Sequence, residues 1–182
     1  TEAADMLLIR LLISVVIIAM VLLLMTIASD NLRSILAEHQ VEEQCHLIES
    51  SLSTMIGSGV PRDINEVDAA DGTKRTLTII LPDSLVYLSF GGDPDPMDDG
   101  NIHPRLSEDG TVIFYRVQGG SKKVIWLPKE TYRFRAGTCI DNRWTMNGSG
   151  QSFVTCTGGE TTLVFELIRK NHMNYILIYA ND

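Results

Sequence analysis

The sequence predicts an α+β chain. A long N-terminal helix, hydrophobic and then amphipathic, precedes a C-terminal antiparallel β-sandwich or barrel head, immunoglobulin-like in kind. Two observations predict it. No Pro or Gly occurs in residues 1–56, and the first breaker cluster is Gly57-Ser58-Gly59-Val60-Pro61. From Thr76 onward the apolar pattern changes to alternation, the period of a strand with one buried face. The chain therefore divides into a helix over residues 1–57 and a β-rich head over residues 58–182.

The helix comes first. Leu11 to Ala28 reads LLISVVIIAMVLLLMTIA, eighteen residues of which only Ser14 and Thr26 are not apolar. That is long enough to read as a membrane-spanning segment, and it shows no polar face at a 3.6-residue period. Beyond Ala28 the pattern becomes amphipathic. Asp30, Arg33, Glu38, His39, Glu42, Glu43 and Glu49 alternate with an apolar set of Leu32, Ile35, Leu36, Val41, Leu47, Ile48, Leu52, Met55 and Ile56. The first half belongs in lipid or among other helices, and the second half against something folded. A secretory signal does not fit, because the apolar run is too long and no basic segment precedes it. A start at Thr1 just ahead of the run reads as a chain from which a leader has been removed.

The head follows as short runs rich in Val, Ile, Thr, Tyr and Phe: Thr76–Leu81, Leu85–Phe90, Thr111–Gln118, Lys122–Leu127, Thr131–Ala136, Ser152–Cys156, Thr161–Ile168 and Asn174–Tyr179. Gln118-Gly119-Gly120-Ser121 and Thr157-Gly158-Gly159-Glu160 read as hairpin turns. The absence of intervening helical patterns is what points to a sandwich or barrel.

Composition narrows the function. The 182 residues carry a formal charge of −8, which argues against a nucleic-acid partner, since phosphate contacts need a basic face. There is no nucleophile elbow, no phosphate-cradling glycine loop, no CxxC and no HExxH, so no enzyme is predicted, no catalytic residue and no cofactor. Asp93, Asp95, Asp98 and Asp99 offer the hard oxygens that calcium takes, but Met97 stands at the fifth position of an EF-hand count. The loop reads as solvated, with an irregular calcium site as the alternative. Glu43-x-x-His46 with His39 matches half of a di-iron pattern whose other half is missing, which leaves an exposed polar helix face.

Cys139 and Cys156 are expected to form a disulfide in an exported domain, with Cys45 as a buried odd thiol and an intermolecular disulfide as its alternative. Asn147-Gly148-Ser149 is a glycosylation sequon. Arg10 and Asp5 are charges at the edge of an apolar segment, where charge marks function or a specific partner. Arg10 can snorkel to a headgroup layer, and the Asp5 carboxylate can neutralise the Thr1 amine of a neighbouring copy.

The whole layout, from the N-terminus ahead of an apolar helix to the all-β head, resembles the type IV pilin superfamily, most of all archaeal type IV pilins and archaellins. Many pilins carry an acidic residue at mature position 5, which Asp5 occupies here, whereas Thr1 is less apolar than the usual first residue and Arg10 interrupts a segment normally uncharged. The resemblance implies a structural subunit of an extracellular filament. It would be membrane-inserted before assembly, handled by pilus assembly machinery, and then polymerised with copies of itself through a core of N-terminal helices. Adhesion, motility and DNA uptake all fit such a filament. The other reading is a single-pass anchor with a monomeric extracytoplasmic β-domain that binds a ligand or partner.

Overall fold

The computed structural model describes residues 2–66, 69–103, 110–127, 132–140, 143–146 and 154–180, and in the first helix the side chains from Arg10 onward. A single helix, α1, runs Glu2–Ser58, 57 residues and about 85 Å at 1.5 Å per residue. It stops where expected. The Gly59 amide donates to the Met55 carbonyl at 2.8 Å, and a Cβ at Gly59 would collide with that carbonyl and with Leu167, so the chain leaves the helix through a gap that only glycine fits.

Ten strands follow among the described residues: β1 Arg62–Asp63, β2 Lys74–Leu81, β3 Leu85–Phe90, β4 Val112–Val117, β5 Lys123–Trp126, β6 Tyr132–Ile140, β7 Arg143–Met146, β8 Val154–Cys156, β9 Gly159–Lys170 and β10 Met173–Ala180. All eight runs read from the sequence are present, and β1 and β7 are additional.

The strands form two sheets. The larger has the order β1-β9-β10-β6-β7, with β2 also paired to β9, and the smaller has the order β5-β4-β3-β8. The expected all-antiparallel head is corrected here. β10 runs parallel to β6 through five residue pairs, and β1 runs parallel to β9, so the larger sheet is mixed. The two glycine turns also differ in what they do. Gln118 to Ser121 closes the β4–β5 hairpin, with Gly119 at a φ of 80° that favours glycine. Thr157 to Glu160 closes no hairpin, because β8 pairs with β3 in the smaller sheet while β9 belongs to the larger one.

The sheets face each other across one core. Phe90 of β3 meets Phe134 of β6 edge-on at 5.6 Å and Phe165 of β9 at 5.9 Å. Into the same core α1 sends Ala37, Val41, Cys45, Ile48, Leu52 and Met55, all buried, at the three- and four-residue spacing of one helix face. The sequence places Leu32, Ile35, Leu36 and Leu47 on this stripe too, but all four are exposed. Leu47 is a neighbour of Ile48 in sequence, and about 100° of rotation per residue turns it out of the core.

Gln40 and Gln44 sit on the flank of that face and engage the outer edge of β2. The Gln40 amide donates to the Ile80 carbonyl at 3.2 Å, and the Ile80 amide donates to the Gln44 side chain at 3.4 Å. The helix thus covers an edge that would otherwise present unpaired backbone groups.

Candidate functional site

The feature that sets this chain apart is the apolar half of α1. From Leu11 to Ile27 every large apolar side chain is exposed, with values between 44% and 66%. No part of the apolar window is buried by the head, and its mean hydropathy is 3.1. A helix long and apolar enough to cross a membrane therefore stands free while its continuation, from Ala37 on, is built into the core. Ser14 donates to the Arg10 carbonyl at 2.9 Å and Thr26 to the Leu23 carbonyl at 2.8 Å, so the two hydroxyls in this segment are satisfied within the helix. Arg10 is exposed at the start of the run. Asp5 lies on the same helical backbone, and Thr1 and the sequon residue Asn147 lie outside the described residues.

The cysteines do not pair. Cys139 is a free, exposed thiol near the end of β6, opposite Trp144 of β7, and Cys156 is a free, buried thiol at the end of β8, opposite Leu88. The expected disulfide is corrected: Cys139 is exposed near the end of β6 while Cys156 is turned into the core at the end of β8, and both thiols are free. Cys45 is free and buried, as a small apolar core residue would be. Burial lifts the Cys156 thiol from its usual 9.0 to about 11.

The acidic loop is exposed at Met97, Asp98 and Asp99 but is tied to the head through its other aspartates. Asp95 is 0% exposed and accepts hydrogen bonds from the amides of Asp99 and Gly100, each at 2.9 Å. Arg116 reaches Asp95 and Asp98, both at 2.9 Å, and Lys122 reaches Asp93 at 2.7 Å. Asp99 is bonded by the Asn101 amide, which holds its carboxyl below the usual carboxylate range. The carboxylates that were read as ligands are thus committed to Arg116, Lys122 and backbone amides. Among the described residues no group of three or more His, Cys, Asp or Glu is arranged to hold a metal. The His39–Glu43 and His46–Glu49 pairs are local contacts on the exposed side of α1, at 3.7 Å and 3.2 Å.

Two features had no local signal in the sequence. Arg62 and Glu166, 104 positions apart, form a buried two-pronged ion pair at 2.7 and 3.2 Å, and Arg62 also donates to the Trp144 carbonyl at 2.7 Å. This clamps β1, β7 and β9 beneath a second small core in which Trp144 stacks on Tyr179 at 3.9 Å. The other is a cleft of about 510 Å³ between α1 and two turns of the head, at the point where the helix loses its apolar character.

Compared with protein families, curated proteins and solved structures, the chain has no match.

Proposed function

We propose that this chain is the structural subunit of an extracellular filament of the type IV pilus kind, stored in a membrane through α1 and polymerised through the same helix. One observation carries the reading: a free apolar rod is rigidly continuous with a helix anchored in the head's core. A segment apolar on every side exchanges lipid for neighbouring helices at little hydrophobic cost, so close packing and the pairing of polar groups decide assembly. Contact between unlike patches on successive copies, without ring closure, extends an open fibre. Asp5 is the acidic group to be paired, its carboxylate against a neighbouring copy. Arg10 stands at the border of the apolar run. The acidic heads would coat such a core and keep fibres apart.

The test is direct. Cells making the chain are sheared and the supernatant is imaged by negative stain. Filaments built of this chain support the reading, whereas a chain recovered only in detergent-soluble membranes identifies a single-pass anchor with a monomeric head. Asp5→Ala is expected to abolish or strongly reduce filaments while membrane insertion persists. Normal filament yield from that variant removes Asp5 from its assigned role.

A further inference from the structure

We propose that the cleft between α1 and the lower turns of the head binds the phosphate of a lipid headgroup, with Arg33 as its cation. The proposal rests on the reading of Leu11 to Ala28 as the segment held in lipid. At 1.5 Å per residue, the cleft residues Asp30 to Ser34 lie about 3 to 9 Å past Ala28. That is the depth of the headgroup layer, which adds roughly 5 to 8 Å on each side of the hydrocarbon. The opposite side of the helix at this level carries exposed Leu32, Ile35 and Leu36, an apolar face suited to the acyl-chain border.

The cleft is built from α1, which contributes Asp30, Arg33 and Ser34, from the turn before β3, which contributes Ser84, and from the β4–β5 turn, which contributes Gln118. The two turns are tied together by the Gln118 amide donating to the Ser84 carbonyl at 2.8 Å. One turn further along the helix, Glu38 and Lys123 close that end at 3.8 Å. Among the described residues, in contrast, Asp30 and Arg33 have no ion-pair partner, and the side chains of Ser34, Ser84 and Gln118 make no hydrogen bond. A cation, an acid and three neutral polar groups are therefore gathered without spending their bonding capacity on one another. About 510 Å³ lies within the range of small-ligand sites. The functional groups that converge there suit a headgroup: the phosphate on Arg33 and the hydroxyls, and an amine or hydroxyl of the headgroup on Asp30.

The full chain is reconstituted into phosphatidylglycerol vesicles and, separately, into vesicles of the phosphate-free lipid digalactosyldiacylglycerol. Flotation reports insertion, and native mass spectrometry after mild detergent extraction counts retained lipid. The chain is expected to float with both and to retain only the phospholipid. Arg33→Gln, an exposed position, is expected to float equally and to retain about tenfold less, the loss of one charge-assisted contact. Equal retention of the two lipids by a floating chain, or undiminished retention by Arg33→Gln, overturns the proposal and leaves membrane insertion standing. Displacement of the lipid by excess inorganic phosphate overturns the lipid as the source of the phosphate. A chain that floats with neither vesicle overturns the insertion reading, and the proposal with it.

Discussion

At the scale of single residues, the head matches its buried charges to counter-charges and backbone amides. Arg62 and Glu166 leave water together, and the charge of Asp95 is met by Arg116 and two backbone amides. Such pairs are costly to break singly, because the survivor is left buried and uncompensated. Cys156 shows the same economy in the opposite direction, since its burial favours the neutral thiol. The folded thiol holds its proton up to about pH 11 whereas an unfolded one releases it near 9.0. The stabilisation is therefore complete below pH 9 and is lost as the pH rises towards 11, in total about 2 to 3 kcal/mol. Urea titrations at pH 8 and pH 10.5 are expected to show a smaller alkaline loss of stability in Cys156→Ala than in the parent chain. An equal loss in both would place the alkaline sensitivity on other groups.

At the scale of elements, α1 is two objects sharing one backbone. Leu52, 0% exposed, lies in the core face, and Leu47, 59% exposed, lies outside it. Leu52→Ala is expected to destabilise the head by about 2 to 5 kcal/mol, while Leu47→Ala stays within about 0.5 kcal/mol. Denaturant unfolding of the two variants measures the difference. This pair also marks how much the sequence could tell. Apolar spacing located the helix and its end, but both leucines satisfy a helical pattern, and only the position of the sheets decides which one is covered.

The strands were legible where apolar, β-branched and aromatic residues ran together, with alternation as in the second half of β2 or with nearly continuous burial as in Leu85–Phe90. β1 is two polar residues long and β7 only four, too short for any period to register. Pairing across the chain was not legible at all. The β10–β6 register joins Asn174 to Tyr132, and the Arg62–Glu166 pair spans 104 positions, distances over which local pattern carries no information. The same applies to the cleft, whose helix and turn residues meet only once the head is folded. For the cysteines and the acidic loop, composition supplied the residues but not the sheet or the counter-charge each one would meet.

At the scale of the whole molecule, the apolar rod and the head are separable in chemistry though continuous in backbone. Everything α1 gives the core lies at or beyond Ala37. Removal of residues 1–28 is therefore expected to leave a folded, monomeric head that stays in solution, with β-rich circular dichroism and a single peak in size-exclusion chromatography. The complete chain, in contrast, is expected to need detergent or lipid. Aggregation of the shortened chain with loss of its dichroism would show that the rod also supports the fold.

The larger sheet bears on the order of events during folding. β10 is the last strand in sequence among those described, yet it lies in the sheet interior between β9 and β6. Without that strand, β6 and β9 share no ladder of backbone hydrogen bonds, and only side-chain contacts such as those of Phe90 link them. The larger sheet is therefore completed by a long-range pairing, β10 on β6, which makes its closure a slow, topology-limited step of folding rather than a local one.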